Sequence, residues 1–85
     1  MFLHLGGSHM VYMDDVVGFF DLEKTSISKI TREYLKKAQN EKKVINVSDE
    51  LPKSFIITKK NNSESVYISP ISTNTLNKRI FMKLG

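Results

Sequence analysis

One segment constrains this chain more than any other. From Ser26 to about Lys42, Ile27, Ile30, Tyr34, Leu35 and Ala38 fall at i, i+3, i+7, i+8 and i+11, one face of a helix. At helical spacing Lys29, Arg32, Lys36 and Lys43 gather on the opposite side. Thr25 or Ser26 offers an N-cap, and Asp21 and Glu23 just ahead suit the positive end of the helix. A helix with one apolar side needs a surface to lie on.

The rest of the chain supplies that surface as short β-like runs. Phe2-Leu3-His4-Leu5 reads as a strand ended by Gly6-Gly7, and Met10-Val11-Tyr12 as a second. Val16-Val17-Gly18-Phe19-Phe20 is continuously apolar, as expected of a strand buried on both faces, with Gly18 marking a bulge or close approach. Val44 to Val47 reads as a strand, and Ser48 to Lys53 as a turn, since Pro52 cannot donate to a ladder. Ser54 to Thr58 and Ser65 to Ser69 read as a hairpin whose polar connection, Lys59 to Glu64, contains Asn61-Asn62. Ser72 then starts a short C-terminal helix with Leu76, Ile80 and Leu84 on one side. The order β-β-β-α-β-β-β-α predicts one α+β domain over residues 1–85. It has a small, mainly antiparallel sheet, one long amphipathic helix and a short C-terminal helix.

A domain of 85 residues hides only roughly 60% of its unfolded surface. With no Cys it has neither disulfides nor thiolate metal sites to reinforce it. Self-association is the remaining inexpensive way to bury more apolar surface. No apolar run approaches the ~20 residues needed to span a bilayer. Met1 to Leu5 lacks the basic start of a secretory signal, so a cytoplasmic protein with no membrane partner is expected. Gly7-Ser8-His9-Met10 looks like a tag-cleavage remnant, but six residues precede it and it reads as native.

The net charge of +4 is unevenly spread. Residues 1–23 carry Asp14, Asp15, Asp21 and Glu23 and no basic residue; residues 24–43 sum to +5, and residues 44–85 to +3. A basic segment of this kind suits a polyanion, and equally suits a solvated helix face.

Catalysis finds little support. There is no Cys nucleophile, Gly-rich phosphate loop or GxSxG. His4 alternates with Leu3 and Leu5 and so projects from the other face of its strand; His9 sits in the Gly-Gly-Ser turn. No Cys or further His joins them as metal ligands, so no metal, cofactor, catalytic residue or small-molecule substrate is expected. Asp14 and Asp15 read as turn residues or as partners for a basic neighbour. Tyr34 and Phe55 could stack on bases, but their positions suit core packing better. Lys29, Arg32 and Lys36 form a row about 10 Å long, able to touch more than one phosphate. No side chain announces base readout, so backbone recognition of double-stranded DNA is the natural expectation.

Four stretches resemble one family. They are Phe2-Leu3-His4-Leu5-Gly6-Gly7; Phe20-Asp21-Leu22-Glu23 with Thr25 to Lys29; Leu51-Pro52-Lys53-Ser54-Phe55; and Val66-Tyr67-Ile68-Ser69-Pro70-Ile71-Ser72 with Thr75-Leu76. Together they are similar to the extracellular matrix regulatory proteins, the RemA/RemB-like family, from Met1 to about Ile80, with the RemB branch nearest. The resemblance implies a non-enzymatic, DNA-binding regulator of biofilm matrix genes that forms ring-shaped homo-oligomers with basic residues around a rim. The RemA branch carries an Arg pair, tied to DNA contact, just before the strand matched by Ser54 to Thr58. Here that stretch reads Glu50-Leu51-Pro52-Lys53, and a basic N-terminal position of that branch falls on Asp14-Asp15.

Two readings follow. In the first the protein binds DNA as an oligomer through Lys29, Arg32, Lys36 and Lys53. Lys59 and Lys60 at the hairpin tip, and Lys78 and Arg79 near a helix C-terminus, are possible additions. In the second it is a ring-forming scaffold or protein-interaction module without DNA affinity. Its acidic N-terminal part then meets the basic helix of a neighbour, Asp14 or Asp15 against Lys29 or Arg32.

Overall fold

The computed structural model describes residues 1–23 and 28–84. The expected order of elements is observed: β1 (Phe2–Gly6), β2 (His9–Tyr12), a 3-10 turn (Met13–Asp15), β3 (Val16–Asp21), α1 (Lys29–Asn40), β4 (Val44–Asn46), β5 (Ser54–Lys60), β6 (Ser63–Ser69) and α2 (Thr73–Leu84). β1 and β2 form a separate antiparallel hairpin, and the other four strands form a sheet in the order β3-β5-β6-β4. Among the described residues only the β4–β6 pair is parallel.

Strand alternation divides the core between the two faces of that sheet. On the first face Ile56, with Phe19 and Tyr67 beside it, packs under Leu3, Leu5 and Val11 of the hairpin and Leu76 of α2. On the second face Phe55, Ile57, Val66 and Ile68 lie under Tyr34, Leu35 and Ala38 of α1. The order through the molecule is therefore hairpin with α2, sheet, then α1.

The recurring motifs hold these layers together. Gly6 and Gly7 both adopt positive φ, 114° and 54°, which lets the chain turn from β1 into β2. Residues 7–10 are thus the turn and the start of β2. Ser69, fully buried, donates its hydroxyl to the Leu5 carbonyl at 2.6 Å and accepts from the Ile71 N–H at 3.0 Å. Ser54, also buried, donates to the Ile71 carbonyl at 2.7 Å. Ser72 caps α2, accepting from the Thr75 N–H at 3.2 Å.

Several expectations needed correction. β3 is not buried on both faces: Phe20 is exposed, and Val17 is 64% exposed. β3 is an edge strand, and a register shift between Val16 and Gly18 turns Val17 outward. The β5–β6 connection is not a six-residue loop. Asn61 and Asn62, at φ 52° and 65°, make a two-residue turn, so Lys59 and Lys60 extend the strand. α1 is capped by Ser28, whose hydroxyl accepts from the Thr31 N–H at 3.1 Å. The caps expected at Thr25 or Ser26, and Ile27, lie outside the described residues. Lys42, at φ 59°, follows the helix end, so Lys43 leaves the basic face and pairs with Glu41 at 3.1 Å. The C-terminal helix is as long as α1, at 12 residues. Lys78 and Arg79 therefore lie mid-helix, not near its end. Ile30, placed on the apolar face by its spacing, is 80% exposed; it lies at the flank of that face, at the rim of a shallow pocket with Phe20, Phe55 and Ile57.

Candidate nucleic-acid interface

The outer side of α1 presents Lys29, Arg32 and Lys36, all exposed, facing away from Tyr34, Leu35 and Ala38. Their row runs about 10 Å along the helix. Lys29 opens the helix, and its first turn holds no acidic residue. A cation there works against the helix dipole at a cost of about 0.3–1 kcal/mol, and it adds its field to that of the helix N-terminus. The exposed Glu33, four residues after Lys29 and three before Lys36, lies beside this row, so the cations outnumber one carboxylate on the outer side of α1, an arrangement that still suits a phosphate backbone.

The remaining candidates do not share this surface. Lys59 and Lys60 are adjacent on a strand and project to opposite faces. Lys59 follows the parity of Phe55 and Ile57 on the α1 side. Lys60 follows Ile56 to the hairpin side, where its ammonium lies 5.8 Å from the Tyr12 ring centroid. Lys78 and Arg79 are on α2, which packs on that same far side. Arg79 donates to the His4 carbonyl at 3.0 Å, so part of its guanidinium is already engaged. Lys53 lies beyond the opposite end of β5, about 20 Å along the strand from Lys59. Its backbone is pinned between Leu22 N–H, which donates to its carbonyl at 2.9 Å, and the Ser69 carbonyl, to which its own N–H donates at 2.8 Å. The structure thus brings Lys29, Arg32 and Lys36 together, with Lys59 on the same side, and separates the other four.

Sequence reasoning missed a second surface. Phe2, Met10 and Tyr12 are exposed on the outer face of the hairpin, opposite Leu3, Leu5 and Val11, and the Phe2 and Tyr12 rings stack at 4.4 Å. The available signal was apolar residues on both phases of the strand alternation. Tyr34 and Phe55 are packed as expected; Tyr34 also donates its hydroxyl to Glu64. Burial, and then the Glu64 carboxylate, push the Tyr34 phenol up to about 12. Among the described residues no three His, Asp or Glu side chains converge as metal ligands, and no helix is long and apolar enough to cross a membrane.

Residues 2–80 match the model of the RemA-like family, described as extracellular matrix regulatory protein A-like. The chain belongs to this family. It is 40% identical over 79 residues to extracellular matrix regulatory protein B of Bacillus subtilis (strain 168), covering 93% of this chain and 89% of that relative. Membership of a family named for regulation of the extracellular matrix supports a regulatory role for this RemA-like chain. The stretches that carry the resemblance are structural in large part. Gly6-Gly7, Ser54 and the run Ser69 to Ser72 make the turns, caps and buried hydrogen bonds described above.

Proposed function

We propose that this chain is a DNA-binding transcriptional regulator of biofilm matrix genes, acting in the cytoplasm by binding alone as a ring-shaped homo-oligomer. The observation that carries this reading is the exposed row of Lys29, Arg32 and Lys36 on the outer side of α1. Their role is phosphate neutralisation, and Lys59 adds a cation on the same side of the sheet. One subunit neutralising three phosphates loses about 40-fold in affinity between 50 and 200 mM salt, and several subunits of a ring acting together lose more. The self-association rests on the small core and on the exposed Phe2, Met10, Tyr12, Val17 and Ile30, which a stable solitary domain has little reason to display.

A gel-shift titration on duplex DNA at low and high salt tests the reading. Retardation at low salt that weakens steeply with salt, and is abolished by Lys29→Glu with Lys36→Glu, supports it. No retardation at low salt overturns it. The second reading, a ring-forming scaffold without DNA affinity, is favoured by the Glu50-Leu51-Pro52-Lys53 turn, where an exposed carboxylate stands near the only cation. An intact oligomer with no DNA retention selects that reading.

A further inference from the structure

A cavity of about 320 Å³ opens where β1, the 3-10 turn and α2 meet. Leu3, which belongs to the core, lines it together with Met1, Met13 and Ile80. The Met13 N–H donates to the Met1 carbonyl at 2.9 Å, which ties the start of the hairpin to the turn beside the cavity. Protein interiors hold few voids larger than a water molecule. This one falls within the roughly 300–1,000 Å³ of small-ligand pockets, at the lower end.

Two polar residues, His4 and Arg79, break the apolar lining. Arg79 is half-buried, and its Nη1 donates to the His4 carbonyl at 3.0 Å, which anchors the guanidinium at the cavity. A guanidinium carries five N–H donors in a fixed fork, so one bond leaves most of the fork for a ligand. Among the described residues no carboxylate lines the cavity; Asp14, next to Met13 in the chain, is exposed and lies outside it.

We infer that this cavity binds a small amphiphile, an apolar chain ended by one carboxylate. The carboxylate sits on the Arg79 fork and the chain lies among Met1, Leu3, Met13 and Ile80. One guanidinium balances one negative charge, and its fork matches the two carboxylate oxygens. The unbranched methionine side chains yield to fit the apolar body. A bare anion would leave the apolar walls in water, and a hydrocarbon without a head would leave the half-buried cation without a counter-charge. The cavity is on the hairpin side, across the sheet from α1 and its row of Lys29, Arg32 and Lys36, so ligand and DNA do not compete for one cation. Of the exposed apolar residues on which self-association rests, Phe2 alone borders it.

Titration with hexanoate, octanoate and decanoate, each below its micelle-forming concentration, tests this, with 1-octanol and octylammonium as controls. Methionine methyl resonances report the place of binding. Those of Met1 and Met13 should shift and saturate, and that of Met10, on the outer hairpin face, should stay. Affinity should rise about fourfold per added methylene until the cavity is full. Octanoate should bind about tenfold more tightly than octanol, and octylammonium more weakly than either. Arg79→Met should bind octanoate and octanol alike, and Met13→Trp, which fills the cavity, should bind neither; circular dichroism confirms that each variant is folded. Shifts that never saturate, or that reach Met10 equally, overturn the proposal. So does an equal affinity for octanoate and octanol in the unaltered protein, a preference for octanoate that survives Arg79→Met, or full binding by Met13→Trp.

Discussion

The two faces of the sheet are finished to different degrees. On the hairpin side Leu5, Ile56 and Leu76 are wholly buried, and Ser54 and Ser69 tie the layer down with hydrogen bonds to carbonyls of Ile71 and Leu5. On the α1 side, among the described residues, only Ala38, Phe55 and Val66 are buried, and Phe20 and Ile30 are exposed. The difference teaches where the packing that stabilises the fold is concentrated. The closed face carries the fully buried side chains and buried hydrogen bonds, and the less completely covered face carries the cationic helix side on which the proposed DNA contact rests.

The largest effects should come from the closed face. Leu76→Ala should cost about 2–5 kcal/mol, a large fraction of the stability of a domain this size. Leu35→Ala, on the half-buried inner side of α1, should cost about 1 kcal/mol. Urea unfolding at one fixed protein concentration measures both, and equal costs would break the contrast. Ser69→Ala should follow, at about 1–3 kcal/mol, because it strands the buried Leu5 carbonyl and the Ile71 N–H together.

Effects on the α1 side should separate binding from stability. Lys29→Glu should weaken DNA retention while raising the unfolding free energy slightly, by about 0.5 kcal/mol, since an acid in the first turn complements the dipole. Loss of stability in that variant would mean that Lys29 holds the fold. The smallest effect is at Tyr34. The unfolded chain releases this proton near 10.0, whereas the folded protein holds it until about 12. This contribution to stability is thus intact below 10.0 and lost as pH rises towards 12. Tyrosinate absorbance of the native protein should show one late step that Tyr34→Phe removes.

Much of the architecture was legible in the residues. Leu3 and Leu5 alternating with His4 placed one face of β1 inward, and the Asn pair marked the hairpin turn. The basic row on α1 followed from helical spacing alone. The candidate site was less legible. Lys59 and Lys60 looked like one cluster until the two-residue turn put them into the strand and sent them to opposite faces. Lys78 and Arg79 looked terminal until α2 proved to continue to Leu84.

What the sequence by itself determined is local: the order of elements, the inward face of β1, the Gly6-Gly7 turn, the Ser72 start of α2, and the side of α1 that carries charge. Propensity and periodicity act over a few residues, so they can be read there. Only the tertiary structure decided which apolar residues are covered. Ile30 and Phe20 sit on apolar faces by pattern yet remain exposed, because burial depends on which distant side chains come to cover a residue, and spacing along one segment carries no information about that.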